Sequence, residues 1–217
     1  MTTISIDKLL KQKLPEFHVG VVNFECNVKK SNVLDEEIKR IQDSVRGKYI
    51  LSDVLTLPHI FDARNGYKKL GKDPSRYRLA VESLFRRIIK GNDLYRINDV
   101  VDIGNVLSLL TKRSIAVLDR DKIVGDIIFR IGKAEPYEGI GRGAINIENI
   151  PVYCDNIGPF GNPTSDTERT MITDTTKKIL LFIIAFDGLE ELTDNISLCL
   201  DLYQKYTDAK NFYTKII

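Results

Sequence analysis

Two groups of residues in this 217-residue chain combine types and spacings that can do chemistry. Asp102 and Asn105 stand three apart, which sets a carboxylate beside an amide on one face of a helix, where the pair can bind a polar ligand. The tract from Asp166 to Thr176, DTERTMITDTT, is dense in hydroxyls with one arginine near its start. Hydroxyls such as those of Thr170 and Thr173 can position an ester or a water, while Arg169 can pair with a carboxylate or a phosphate. The same tract also reads as a strand edge followed by a helix cap made of ordinary threonines.

Charge offers a third candidate. The whole chain carries a net +2, yet between Ala63 and Gly91 nine basic residues (Arg64, Lys68, Lys69, Lys72, Arg76, Arg78, Arg86, Arg87, Lys90) face only Asp73 and Glu82, about +7 locally. Lys72, Arg76, Arg86, Arg87 and Lys90 are the candidate contacts to nucleic acid, and each phosphate they neutralised would make binding weaken as salt rises. The alternative is a solvated helix face with acidic partners elsewhere.

Other chemistry-bearing types are isolated. His18 lies in a strand-like stretch with no partner and no metal spacing. His59 is either a loop residue bonded to backbone or a ligand contact beside Arg64. Cys26, Cys154 and Cys199 are odd in number and lack Cys-x-x-Cys spacing, so they read as core thiols rather than as disulfides or a zinc cluster. Gly139-Ile140-Gly141-Arg142-Gly143 has the glycine density of a phosphate loop. It lacks the Gly-Lys-Ser/Thr ending and the strand-to-helix placement, and so reads as a β-turn.

These residues need elements to position them. Asn98 can cap a helix starting near Asp99, with Val101, Val106, Leu109 and Leu110 as its apolar face. A strand over Ser114 to Leu118, a polar turn at Asp119-Arg120-Asp121 and a strand over Ile123 to Ile131 follow. Before them, the patterns predict loose helical character over Met1 to Lys13, a strand over Phe17 to Val28 and an amphipathic helix over Asn32 to Lys48. Ser52 to Gly71, broken by Pro58, Gly66 and Gly71, reads as a loop with a short helical piece. Asp73-Pro74-Ser75 opens a helix with Tyr77, Val81, Leu84, Phe85 and Ile88 on its stripe, ended by Gly91. Towards the C-terminus, Ala144 to Cys154 reads as a strand or hairpin and Asp155 to Ser165 as irregular. Lys178 to Phe186 reads as a buried strand, and Leu189 to Tyr206 as a final amphipathic helix.

The order of these pieces resembles the editing domain of the phenylalanyl-tRNA synthetase beta subunit, and its freestanding single-domain relatives more closely. Pro74-Ser75, the paired Arg86-Arg87, Val101-Asp102-Ile103 with Asn105 and Ser108-Leu109, Leu118-Asp119, and Arg169-Thr170 to Thr173 carry the resemblance, over about Lys72 to Lys178. It implies an α+β fold with a mixed β-sheet flanked by helices. It also implies removal of a wrongly attached amino acid from a tRNA ester, with Asn105, Arg169, Thr170 and Thr173 around one cavity and Asp102 and Asp119 binding substrate. The synthetase's His-x-Phe-Asp is replaced here by Ala116-Val117-Leu118-Asp119, and its Gly-Gly-x-x-Gly-Gly-Glu by Gly158-Pro159-Phe160-Gly161-Asn162-Pro163. An enzyme lacking that His and Glu would work by water positioning, needing no metal, cofactor or covalent nucleophile.

Length and a 43% hydrophobic content fit one domain over residues 1–217 with a sizeable core. The sequence shows neither a leader-like start nor a run of roughly 20 apolar residues, so no membrane contact and a cytoplasmic location are expected. Three readings stay open: an aminoacyl-tRNA deacylase acting in trans, a tRNA- or RNA-binding module without catalysis, and a protein binding a small amino-acid-like ligand. The oligomeric state is not legible.

Overall fold

The computed structural model describes residues 3–217; Met1 and Thr2, the first residues of the stretch read as loosely helical, lie outside the described residues. In chain order the elements are β1 (Ile4–Ile6), α1 (Lys8–Lys13), β2 (His18–Glu25), α2 (Asp35–Lys48), α3 (Pro58–Lys69), α4 (Ala80–Ile89), α5 (Asp99–Thr111), β3 (Ser114–Asp119), β4 (Ile127–Ile131), β5 (Glu138–Gly139), β6 (Gly143–Ala144), β7 (Pro151–Cys154), β8 (Pro159–Gly161), β9 (Lys178–Ala185), α6 (Leu192–Tyr206) and β10 (Lys210–Ile216). Short 3-10 turns fall at Asp53–Leu55, Arg120–Lys122 and Glu168–Thr170.

The apolar run of β9 is the middle of a sheet ordered β10-β2-β9-β3, with β2 and β3 both antiparallel to it. Because side chains alternate across a strand, Leu180, Phe182 and Ile184 enter one core while Ile179, Leu181 and Ile183 enter another. The first core fills the space against a second sheet, ordered β1-β4-β7-β8, with Phe129, Tyr153 and Phe160 packed edge to face or tilted around Phe182. The other core is covered by α2 to α6. The second sheet is mixed, since β1 joins β4 in parallel and the remaining pairs are antiparallel. The fold is thus α+β: sheet, sheet, helices.

The expected helix at Asp99 forms with its expected cap, the Asn98 side chain accepting from the Val101 N–H at 3.0 Å. Several segments differ from the sequence reading; within Asp155 to Ser165, read as irregular, Pro159–Gly161 forms β8 against β7. Residues 58–69 make a full helix where a loop with only a short helical piece was expected, because Pro58 occupies the first turn, where no N–H is needed. Gly66 does not break this helix; it lets Phe186 lie against it, where a Cβ would sit 2.3 Å from the ring. Asp73 opens only a turn, accepting from the Ser75 N–H at 2.9 Å, and the helix proper waits until Ala80. β1 and β10 were missed because one is three residues long and the other is an exposed, polar edge strand.

One buried ion pair fixes where α5 begins. Asp102, 1% exposed, accepts from Arg96 Nε at 2.7 Å and from the Ile97 N–H at 3.0 Å. Arg96 also donates to the Ser31 carbonyl at 3.0 Å and pairs with Asp35 at the start of α2. Removing the carboxylate would strand a guanidinium and an N–H, so Asp102→Ala should lower unfolding free energy by about 2 to 4 kcal/mol. Urea denaturation measures this, and an unshifted midpoint would contradict the assignment.

Candidate functional site

Helix α5 lies across β3, and together with α4 and the loops after β5 and β8 it encloses a cavity of about 410 Å³. Ile97, Val101, Ile115, Val117, Leu84 and Ile172 supply apolar walls. Asn105, Ser108, Thr164, Ser165, Asp166 and, at the hairpin between β5 and β6, Arg142 supply the polar groups. Apolar walls with a few converging polar groups are the usual makeup of a small-molecule site.

Half of those polar groups are already engaged. Ser108 Oγ donates to the Arg113 carbonyl at 2.6 Å, Thr164 Oγ1 is 3.0 Å from the Tyr67 hydroxyl, and Ser165 Oγ donates to the Asp166 carbonyl at 3.2 Å. Three remain open. The Asn105 amide has no hydrogen-bond partner among the described residues, Asp166 uses one oxygen only, and Arg142 spends one nitrogen on Ser83 Oγ at 3.2 Å.

Asp166 is held from behind by aromatic residues. The Tyr153 hydroxyl donates to Asp166 Oδ1, the Tyr137 hydroxyl donates to the Ser165 carbonyl at 2.5 Å, and Tyr67 meets Thr164. Asn162 Oδ1 accepts from the N–H groups of Thr164 and Ser165 at 2.9 and 3.2 Å, closing the loop that carries them. Burial without a cation pushes the Asp166 carboxyl up to about 7, against the opposing effect of the Tyr153 hydroxyl. A carboxyl that titrates near neutrality and faces a cavity is suited to taking and returning a proton.

Of the six residues expected to catalyse or bind substrate (Asp102, Asn105, Asp119, Arg169, Thr170 and Thr173), only Asn105 lines this cavity. Arg169 is drawn away by Asp155, to which it donates twice at 2.9 Å, and by the Lys122 carbonyl at 3.1 Å. Thr170 turns inward and is buried, and Thr173 closes a local turn, its N–H donating to Thr176 Oγ1 at 3.0 Å and its hydroxyl paired with those of Thr175 and Thr176. Their neighbours Met171 and Ile172 reach the cavity instead. Asp102 is committed to Arg96 and Ile97, and Asp119 to the Thr176 hydroxyl at 2.7 Å and the Asp121 N–H at 3.0 Å. The expected convergence is therefore corrected to Asn105 with Asp166 and Arg142.

The basic segment is also redistributed. Lys72 is buried, donating to the Asn146 and Glu148 carbonyls at 2.6 and 2.8 Å above the Tyr77 ring. Arg86 pairs with the buried Glu82 at 2.8 Å, and Arg87 stacks on Tyr95 while donating to the Asp93 carbonyl. Arg76 and Lys90 stay exposed, as do Lys68, Lys69 and Arg78. His59 is bonded to side chains rather than to backbone. Its ring nitrogens lie 2.6 Å from Asp187 and 3.0 Å from Glu191, and Arg64 is occupied by Glu82. His59, Asp62 and Asp187 are the one set among the described residues with metal-like spacing, but Asp187 is also held by the buried Arg113. The three cysteines are buried, and burial pushes Cys154 up to about 11 and Cys26 to about 12.

The profile of the B3/4 domain matches residues 62–206, which span α3 to α6 and every residue of the cavity. The chain belongs to the B3/4 domain family. Among solved structures, this B3/4 protein is similar to an N-terminal fragment of the phenylalanyl-tRNA synthetase beta-subunit from Pyrococcus horikoshii, with 14% identity and a TM-score of 0.50. That likeness covers 99% of this chain and 50% of the fragment, so the chain spans half its length. No curated protein sequence matches the chain. The resemblance read from sequence, and the α+β fold it implied, are borne out.

Raising a carboxyl above its unfolded value links stability to pH. The unfolded Asp166 carboxyl titrates near about 4, so the folded state binds the proton more tightly, and its contribution, full below that pH, is lost as pH rises through about 7. Asp166→Asn cannot ionise and should lose less stability than the native protein between these limits. Parallel stability curves for the two proteins would contradict the assignment.

Proposed function

We propose that this B3/4 protein hydrolyses the ester of a mischarged aminoacyl-tRNA, taking the aminoacyl group into the cavity under α5. The observation that carries the proposal is the placement of Asp166, a carboxyl near neutrality, across an apolar cavity that also holds the unpartnered Asn105 amide. The family supports an editing-type site, and the exposed cations Arg76, Arg78 and Lys90 support contact with a polyanion.

In the proposed step the ionised Asp166 takes a proton from water as that water's oxygen attacks the ester carbonyl. The Asn105 amide donates to the carbonyl oxygen as negative charge develops there. The tetrahedral intermediate collapses, the bond to the ribose oxygen breaks, and Asp166 returns its proton to that oxygen. The products are the free amino acid and the deacylated tRNA. No side chain is acylated, so cavity and base replace the His and Glu of the synthetase motif, which this sequence lacks.

Release of amino acid from a panel of mischarged tRNAs tests the proposal. Native protein should accelerate release, with a rate that rises with pH and levels off above about 7, as the base form fills. Asp166→Asn should reduce the rate by about 100-fold or more, and Asn105→Ala by about tenfold or more. Binding of tRNA without accelerated release for any member of the panel would support a non-catalytic binding module. Binding of free amino acid without tRNA would support the small-ligand reading.

A further inference from the structure

Arg142 differs from several arginines that pack against the protein in having no carboxylate beside it among the described residues. Arg64, Arg86, Arg96, Arg113, Arg130 and Arg169 each meet a carboxylate within 4.0 Å. Arg142 meets none among the described residues, only the neutral Ser83 hydroxyl. Arg142 is exposed at the rim of the cavity, where partial desolvation lowers its hold on its proton and the positive charge of Arg78 lowers it further. Two cations brought together without a counter-charge are a cost that an anion would relieve.

The backbone fixes this placement. Arg142 sits at the tip of the β5–β6 hairpin between Gly141 and Gly143, both left-handed with φ of 65° and 68°. The hairpin is tied to the loop of the cavity by the Ile140 N–H, which donates to the Asp166 carbonyl at 2.9 Å. The glycine-rich stretch that looked superficially like a phosphate loop is thus a turn presenting one guanidinium over the cavity.

We infer that Arg142 and Arg78 form an anion subsite at the mouth of the cavity, and that it takes the phosphate on the 5′ side of the esterified nucleoside. A guanidinium presents paired donors that suit phosphate oxygens, and Arg78 adds a second positive charge. This inference rests on the aminoacyl-ester reading for the identity of the phosphate, but the subsite itself rests on the two arginines. It makes the minimal substrate an aminoacyl nucleotide rather than an aminoacyl nucleoside.

Calorimetric titration of the full chain with non-hydrolysable 3′-(phenylalanylamino)- and 3′-(valylamino)-3′-deoxyadenosine, each with and without a 5′-phosphate, tests it, with inorganic phosphate as a separate arm. The 5′-phosphate should tighten binding about tenfold or more. That gain should vanish in Arg142→Gln, shrink in Arg78→Gln and survive in part in Arg142→Lys. Equal affinity for the two forms, or a gain that Arg142→Gln leaves intact, would overturn the subsite and leave the aminoacyl reading standing. Binding of inorganic phosphate that depends on Arg142, with no binding of either nucleoside analogue, would support the subsite and overturn the aminoacyl reading.

Discussion

The two-sided burial of β9 is the constraint on which the rest of the structure depends. Each of its apolar side chains is removed from water, and a fully buried aliphatic or aromatic side chain contributes about 1.5 to 3 kcal/mol. A strand buried on both faces needs partners on both faces and both edges. β2 and β3 supply the edges, the second sheet covers one face and α2 to α6 the other. A register slip of one residue would exchange the two cores, placing Phe182 among the helices and Leu181 against Phe129 and Tyr153. The cavity inherits its position from this arrangement, because β3 forms its floor and α5 crosses above it.

The same economy separates structural carboxylates from the one that faces the cavity. Asp102, Asp187, Asp155 and Glu82 are each met by an arginine, and Asp119 by a hydroxyl and an N–H. Arginine beside a buried carboxylate stabilises its charge and fixes geometry, which suits a strut and disables a base. Asp155 shows the outcome: burial opposes its ionisation, yet Arg169 and three N–H groups hold it below the usual carboxylate range. Asp166 receives only a tyrosine hydroxyl, so desolvation wins and the carboxyl stays near neutrality. The difference lies in the partner supplied, since both residues belong to the same β7–β8 region.

Features governed by local chemistry were legible in the sequence. The Asn98 cap, the β9 run and the Asp119 turn depend on residues within a few positions of one another, and they form where expected. What was not legible depends on distant neighbours. Gly66 looks like a helix breaker until Phe186 is packed on it, and β10 looks like a polar tail until β2 offers an edge. The threonine tract was noticed for its hydroxyls, but it places Met171 and Ile172 in the cavity because Asp155 captures Arg169 from the far side. Asp166 was marked locally only as the first residue of the hydroxyl-dense tract. Its significance comes from Tyr153, Tyr137 and Tyr67, three tyrosines up to about a hundred positions away.

The replaced synthetase motif takes on a physical meaning in this light. The loop that begins Gly158-Pro159-Phe160-Gly161-Asn162-Pro163 lacks the motif's glutamate, but it continues into Asp166 three residues later. Proline at two positions and the Asn162 side chain bonded to its own loop stiffen a segment that glycines would leave free. A stiff loop can hold an uncompensated carboxyl in place, because local rearrangement towards solvent would break the tyrosine contacts behind it. Keeping Asp166 poorly solvated costs stability at neutral pH, and that cost is borne by the aromatic packing of Phe129, Tyr153, Phe160 and Phe182 beneath it. The aromatic core between the sheets thus has a role beyond burial: it is the rigid backing that allows a carboxyl to face the cavity without a cation.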